Sequence, residues 1–223
     1  MKRHALSTRL WHWLNLVFLA ILFMSGLTIS NAHPWLYWGE WGFEPAAAWL
    51  AVPRFPDWMT IPGYYSLAKA RAWHILAAWP FALLLLFVWL AMLANRHFGR
   101  DIATSGREWA PRAIAADIGA HLRFDFEHTA GAYNFLQKLS YGLVLGVILP
   151  GMVLTGIAIS PGMGPSFGWL VELMGGRQSA RSLHFVLAFA LLAFFIVHVA
   201  LVLVTGPLRQ MRAMITGGER DAA

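Results

Sequence analysis

The chain has 223 residues, of which 58% are hydrophobic and only 13% charged, and its formal net charge is +6. This apolar composition is typical of an integral membrane protein and excludes an ordinary soluble domain. The chain contains no cysteine, which excludes disulfides, thiolate metal sites, covalent c-type haem and cysteine-ligated iron–sulfur clusters, so any metal must be held by histidine. No basic stripe is interleaved with stacking aromatic residues, so nucleic acid is not expected as a partner.

Four apolar stretches have the roughly 20 residues that a helix needs to cross a hydrocarbon core of about 30 Å. They cover residues 10–29, 72–94, 139–159 and 183–204. The first stretch is too long for the apolar part of a signal peptide and has no convincing small-residue cleavage site, so we interpret it as a retained span. The sequence thus predicts a single all-α domain over residues 1–223, an integral membrane four-helix bundle.

The distribution of lysine and arginine predicts the orientation. If both termini lie on one side of the membrane, twelve of the 17 lysines and arginines fall on that side. Because positive residues are retained on the cytoplasmic side, we expect both termini in the cytoplasm. The positive net charge is then mainly a sign of topology.

The first span opens with Arg9-Leu-Trp-His12. Gly26 follows His12 by fourteen residues, so it lies on nearly the same face of the helix. A flat cofactor would need room there, but small residues also serve ordinary helix packing, and both interpretations stay open. The next loop, residues 30–70, is rich in tryptophan, tyrosine and proline. We expect it at the outer headgroup level, as an aromatic anchor or as a docking platform for an extracytoplasmic partner.

The second span opens with Arg71-Ala-Trp-His74, and the third span has no histidine. Glycines and Pro150 in the third span indicate a packing role rather than metal ligation, with a kink at the proline. Between these two spans, Pro111 is predicted to begin a short interfacial helix.

The fourth span carries His184 and His198 inside a stretch without any charged residue. Fourteen residues separate them, which is about 21 Å along a helix and about 40° short of four turns. Both imidazoles should therefore lie on one face, near opposite sides of the bilayer. Ionisable groups inside a span are costly and indicate function, and imidazole is a suitable ligand for iron.

An arginine precedes a histidine by three residues at the start of three spans. These pairs are Arg9 and His12, Arg71 and His74, and Arg181 and His184. Each arginine lies on the same helix face as its histidine, one turn nearer the headgroups. Haem needs both groups, an axial nitrogen for the iron and a cation for the propionates. Snorkelling at a span end explains any one of these arginines, but three such pairs favour haem.

Depth in the membrane then pairs the histidines. With both termini inside, His12 and His198 lie toward the inner face at depths that differ by roughly 6 Å, which a tilt would absorb. His74 and His184 each lie within two residues of the outer start of their span. The sequence therefore predicts two haems, one held by the His12–His198 pair and one by the His74–His184 pair.

The residues that carry a resemblance to a known family are Arg9-Leu-Trp-His12-Trp13, His74, His184 and His198. Together with all four spans, they resemble the bacterial cytochrome b561 and nickel-hydrogenase-type b-cytochrome superfamily. Segments His33-Pro-Trp-Leu-Tyr-Trp-Gly39 and Tyr133-Asn-Phe-Leu-Gln-Lys138 are more similar to cytochrome b subunits of thiosulfate reductase and other molybdopterin oxidoreductases. The resemblance implies two bis-histidine haem b groups, quinone or quinol as substrate, an extracytoplasmic molybdopterin or similar oxidoreductase subunit as partner, and the bacterial inner (cytoplasmic) membrane as location.

The leading hypothesis is transmembrane electron transfer between quinone and an outer partner that exchanges electrons near His74 and His184. A stand-alone quinone-linked oxidoreductase, such as the superoxide-oxidising type of small b561 cytochrome, would use the same haems without a partner. A transporter of protons or divalent metal is the third hypothesis, since intramembrane histidines also line such pathways. His121 and His128 are candidates for a proton path or quinone contacts. Whether the chain is an enzyme by itself or the electron-transfer subunit of one stays open.

Overall fold

The computed structural model describes residues 6–96, 98–122 and 134–217. The helices in these ranges are α1 (Leu6–Ala32), α2 (Leu67–Ala94), α3 (Pro111–Leu122), α4 (Phe135–Leu143), α5 (Leu149–Ile159), α6 (Gly168–Leu173), α7 (Arg177–Val204) and α8 (Pro207–Thr216). Two short antiparallel strands, β1 (Trp35–Leu36) and β2 (Leu50–Ala51), pair within the loop that follows α1. This hairpin was not part of the all-α prediction, because strands of two residues are too short to show an alternating pattern.

Four helical segments of the described chain are long and apolar enough to cross a membrane. They are Leu6–Ala32, Leu67–Ala94, Phe135–Ile159 and Arg177–Val204. Each contains a predicted span and begins four to six residues before it, because the apolar pattern marks the hydrocarbon core whereas the helix continues into the polar interface. Large apolar side chains stay exposed along α2, such as Leu83 and Phe87 at 61% each, as expected where lipid is the solvent.

The third span contains a π turn directly before Pro150. The turn covers Val144–Ile148 and joins α4 to α5. Proline has no N–H to donate and its ring crowds the preceding turn, so regular helical hydrogen bonds cannot continue there. The Trp89 indole donates a hydrogen bond of 3.1 Å to the carbonyl of Leu145 inside this turn. The irregularity that Pro150 predicts therefore takes the form of a π turn.

The chain divides into two compact units, one formed by Met1–Leu84 with Gly151–Ala223 and the other by Leu85–Pro150. The four paired histidines all lie in the first unit. The single-domain interpretation of residues 1–223 stays a prediction.

Side chains join α1 to two other helices of the first unit. The Trp11 indole donates to the carbonyl of Leu84 at 3.2 Å, which connects α1 to α2. Phe23 packs against Phe189 at a ring distance of 5.6 Å, which connects α1 to α7. Residues from α1 can therefore meet histidines of both neighbouring helices.

The loop after α1 caps the start of α7, the helix that carries two of the four histidines. The carbonyl of Gly39 accepts the backbone N–H of Gln178 at 3.0 Å, and the Glu40 carboxylate accepts that of Arg177 at 2.9 Å. These acceptors satisfy N–H groups that have no partner inside the helix. Gly176 has φ +111°, and a Cβ there would lie 2.5 Å from the Gly39 backbone. Only glycine permits this close approach.

The second unit is held by polar contacts around the start of α4. The Lys138 ammonium donates to Glu108 at 2.8 Å, and this hydrogen bond is the main reason why the pKa of Glu108 falls to about 2. The backbone N–H of Leu136 donates to the Asp117 carboxylate at 2.8 Å. α3 begins at Pro111, as the sequence predicts, since proline is favoured at the first helical position.

Candidate functional site

Two pairs of histidine rings face each other in the first unit. The ring centres of His74 and His184 are 6.2 Å apart, with an angle of 60° between the planes. Those of His12 and His198 are 6.3 Å apart, with an angle of 55°. The structure thus brings together the same histidines that the sequence pairs by depth. α7 supplies one ring to each pair, and α2 and α1 supply the others.

The spacing within each pair fits two imidazoles on opposite sides of one metal ion. Two metal–nitrogen bonds of about 2 Å place the two nitrogens about 4 Å apart, and the remaining ~2 Å between ring centres corresponds to the two ring radii. The two imidazoles of each pair would suit the iron of one haem. The described residues include no group of three or more His, Cys, Asp or Glu side chains that could hold a bare metal ion.

Ser25 of α1 holds the ring of His74. Its hydroxyl lies 3.0 Å from Nδ1 of His74 and also donates to the carbonyl of Ile21 at 2.6 Å. The neighbouring residue is Gly26, where an added Cβ would lie 3.6 Å from Cε1 of His74. The glycine singled out in the sequence therefore faces the ring of this histidine.

Thr155 of α5 holds the ring of His184 in the same way. Its hydroxyl lies 2.8 Å from Nδ1 of His184 and donates to the carbonyl of Gly151 at 2.6 Å. A Cβ added to Gly156 would lie 3.5 Å from Cε1 of His184. Each imidazole of this pair thus contacts a hydroxyl side chain and lies next to a glycine, which has no side chain.

Sequence reasoning missed three of these neighbours, Ser25, Thr155 and Gly156. It gave the third span a packing role, whereas α5 also contacts a histidine directly. The available signal was a hydroxyl residue followed by glycine in two different spans, Ser25-Gly26 and Thr155-Gly156. Small and hydroxyl residues are ordinary at membrane helix contacts, so this signal alone does not separate them from packing residues.

Aromatic side chains surround the His12–His198 pair. Trp13 lies edge-on to His12, with ring centres 5.2 Å apart and planes at 89°. Phe194 stacks on His198 at 5.9 Å and 18°. These rings give the pair an apolar environment and restrict the orientation of both imidazoles.

Arg9 and Trp13 connect α1 to the end of α8, next to His12 in the chain. The Arg9 guanidinium donates to the carbonyl of Ile215, and the Trp13 indole donates to that of Met214 at 3.1 Å. The last carbonyls of a helix have no partner inside it, so they can accept these bonds. Nε of Arg9 is buried and has no hydrogen-bond partner among the described residues. It is a donor that an anionic group would satisfy.

Positive charge collects beside the His74–His184 pair. Arg71 and Arg181 each lie one turn before one of these histidines. Burial, followed by the charges of Arg181 and Arg71, lowers the pKa of His33 below its ordinary value of 6.5, which means that all three groups are close together. Such a cluster attracts an anion, and a carboxylate such as a propionate pairs well with guanidinium.

The side chain of His121 and the whole of residues 123–133, which include His128, lie outside the described residues. Their interpretation as a proton path or quinone contact stays a prediction.

Comparisons with known proteins give two matches. A family model described as prokaryotic cytochrome b561 matches residues 3–217. A relative from Azospira oryzae, named putative protein-methionine-sulfoxide reductase subunit YedZ1, is 32% identical over 212 residues, which cover 94% of this chain and 93% of the relative. No solved structure gives a significant match to the chain.

Proposed function

Because this chain belongs to the prokaryotic cytochrome b561 family, we propose that it is a di-haem subunit that links the quinone pool to an oxidoreductase outside the cytoplasm. Membership of the family makes it an integral membrane b-type cytochrome that transfers electrons across the membrane. The number of haems, the quinone and the partner are the additions that this proposal makes.

The two histidine pairs carry the proposal. The ring spacings of 6.3 Å in the His12–His198 pair and 6.2 Å in the His74–His184 pair both suit bis-imidazole coordination. Each pair would hold one haem b, which when bound supplies reversible one-electron exchange at its iron. With two imidazoles from the chain to hold the iron, each site would favour electron transfer over oxygen binding.

The arginines would hold the anionic groups of the cofactor. Arg71 and Arg181 supply guanidinium groups beside the His74–His184 pair, and both charges, after burial, contribute to the lowered pKa of His33. At the other pair, the buried Nε of Arg9 is the candidate donor. Charge-assisted hydrogen bonds of this kind are stronger than neutral ones.

We place the protein in the bacterial inner (cytoplasmic) membrane with both termini in the cytoplasm. The support is the excess of lysine and arginine on the side of the termini, where twelve of 17 would lie, as positive residues do on the cytoplasmic side. The His74–His184 pair then lies toward the outer side and the His12–His198 pair toward the cytoplasm.

The partner would dock at the outer loop, which follows α1. Trp41, Phe43 and Trp58 in this loop are 73%, 80% and 79% exposed, and aromatic residues are enriched at protein interfaces. Glu40 of the same loop binds the start of α7, the helix that carries His184. The name of the Azospira oryzae relative describes a subunit, which supports a partner for this chain. We propose a molybdopterin or similar oxidoreductase subunit.

The haem content of the purified chain tests the two-site proposal. Protein from haem-replete cells should contain two haem b groups per chain, measured as the pyridine haemochrome, and anaerobic addition of a quinol should reduce them. One haem per chain would overturn the two-site proposal. A colourless protein would favour the histidine-lined transporter instead.

Capture of the tagged chain from its own membranes tests the partner. We expect an oxidoreductase subunit to be recovered with it. Recovery of the chain alone, together with quinone reduction by superoxide at full rate, would favour the stand-alone oxidoreductase.

A further inference from the structure

The hydroxyl groups of Ser25 and Thr155 have only one arrangement of protons that satisfies all their contacts. Each hydroxyl has a single hydrogen and two lone pairs. Backbone carbonyls are the acceptors for both hydrogens. They belong to Ile21 at 2.6 Å and Leu22 at 3.1 Å for Ser25, and to Gly151 at 2.6 Å and Met152 at 3.2 Å for Thr155. Each oxygen can therefore only accept a hydrogen bond from the imidazole Nδ1 that it contacts.

This direction fixes the tautomer of both histidines. In this arrangement, Nδ1 of His74 and Nδ1 of His184 each carry a hydrogen and donate it to the hydroxyl, at 3.0 and 2.8 Å. In a neutral imidazole the other nitrogen, Nε2, then keeps its lone pair. A metal requires that lone pair, and the hydrogen bond made by the second ring nitrogen decides which nitrogen is free to bind it.

We propose that Ser25 and Thr155 are positioning residues that set the tautomer and the ring orientation of His74 and His184 and thereby lower the reduction potential of the iron between them. The inference rests on the proposed two-haem function. An acceptor on Nδ1–H makes the imidazole a more basic ligand. A more basic ligand stabilises ferric over ferrous iron, so removal of the hydroxyl should raise the potential.

The repeated arrangement argues that the contact is specific. Ser25-Gly26 on α1 and Thr155-Gly156 on α5 each place a hydroxyl against Nδ1 of a histidine. Each also places a glycine whose added Cβ would lie 3.6 or 3.5 Å from Cε1 of that histidine. Ser25 is 0% and Thr155 is 2% exposed, so water cannot easily replace either hydroxyl as the acceptor. The backbone carbonyls of Leu22 and Met152 also accept from the rings of His74 and His184, so removal of a hydroxyl measures what that hydroxyl adds to the carbonyl.

The replacement of Thr155 by valine tests the proposal, because valine keeps the shape and removes the acceptor. A neutral hydrogen bond contributes about 1 kcal/mol, or about fivefold in an equilibrium constant. Only the difference in this energy between ferric and ferrous iron changes the potential, so about fivefold is the upper limit. At a fixed ambient potential, the ratio of reduced to oxidised iron at this pair should rise by up to about fivefold, which is a shift of up to about +40 mV for one electron. Spectroelectrochemical titration measures the shift, and the component that is missing in His184→Ala identifies the haem concerned. The g values of its low-spin ferric EPR signal should also change.

Two control variants separate the hydroxyl from the fold. Thr155→Ser keeps the acceptor and should retain the wild-type potential. Thr205→Val removes a matched hydroxyl, which donates to the carbonyl of Leu201 at 2.7 Å, and should leave both potentials unchanged. Ser25→Ala should shift the same haem in the same direction as Thr155→Val.

Each outcome decides the proposal. If Thr155→Val loses this haem while Thr155→Ser keeps it, the hydroxyl is needed to position the ring, which supports the proposal. An unchanged potential and EPR signal in Thr155→Val would overturn it, as would an equal effect of Thr155→Ser. A wild-type chain with fewer than two haems would instead refute the proposed function, so the two failures are distinguishable.

Discussion

The two histidine pairs have nearly the same geometry but different surroundings. Ring spacings of 6.2 and 6.3 Å and plane angles of 60° and 55° describe the His74–His184 and His12–His198 pairs. Hydrogen-bonding hydroxyl groups back the first pair, whereas aromatic rings surround the second. Ligand spacing is set by the group to be bound, while the neighbours of the ligands tune its electronic properties. If each pair holds a haem, as proposed, the two haems would differ in potential although both would be held by a pair of imidazoles.

The largest effect is expected from variants that remove a histidine from one pair and leave the other pair intact. His184→Ala should remove the haem of the His74–His184 pair, and His198→Ala should remove that of the His12–His198 pair, because each haem would lose one of the two imidazoles that hold it. Haem content should fall from two to one in each variant, and the remaining EPR signals should be complementary. His97→Ala, at a histidine outside both pairs, is the control and should keep two haems. Identical spectra of the two single-haem variants would contradict the pairing.

A smaller effect is expected at the His12–His198 pair alone, from a variant that weakens the attachment of α8 to α1. Trp13→Phe keeps an aromatic ring beside His12 but removes the hydrogen bond to the carbonyl of Met214, which contributes about 1 kcal/mol. The attachment of α8 to α1 should weaken, so cleavage by protease after Val204 should become faster. The haem of the His12–His198 pair should be lost at a lower temperature than in the wild type.

Trp11→Phe is the matched control for this variant. It removes an indole hydrogen bond of 3.2 Å to the carbonyl of Leu84, on the same helix but away from α8. Equal sensitivity to protease after Val204 in both variants would contradict the role of Trp13 in holding α8.

The smallest effect concerns the positive cluster at the His74–His184 pair. Burial and the charges of Arg181 and Arg71 lower the pKa of His33 below 6.5. The unfolded chain therefore takes up this proton at a higher pH than the folded protein does. The contribution of His33 to the stability of the folded protein is complete above about pH 6.5 and falls as the pH drops through the lowered pKa. His33→Gln should remove this part of the pH dependence.

Thermal unfolding in detergent between about pH 8 and pH 5 measures this difference, in a range around the ordinary pKa of histidine. The wild type should lose more stability than His33→Gln as the pH falls. Parallel curves for the wild type and His33→Gln would contradict the lowered pKa.

Local sequence patterns predicted the spans because hydrocarbon imposes a length and a polarity on every helix that crosses it. The predicted span 183–204 lies inside Arg177–Val204, but the first six residues of this helix, which include its first turn, were missed. That turn is polar and is stabilised by Gly39 and Glu40 of a distant loop. A pattern confined to the span cannot reveal such a contact.

The contact made by Arg9 is another that a local sequence pattern could not reveal. Its position three residues before His12 predicts a cation at the headgroup level, and the structure adds a hydrogen bond from Arg9 to the carbonyl of Ile215. The two residues are far apart in the sequence, and no periodic signal connects them. The contacts of Ser25 and Thr155 with the two histidines were missed for the same reason.

The sequence by itself determined four apolar helices, the absence of cysteine ligands, and the depth at which each histidine lies along its helix. These properties follow from composition and from the fixed rise and turn of the α-helix. Only the tertiary structure decided which neighbours back each imidazole, namely hydroxyl groups at His74 and His184 and aromatic rings at His12 and His198. The physical reason is that the rotation of a helix about its axis and the choice of its neighbours depend on packing between helices, which the periodicity of one segment does not contain.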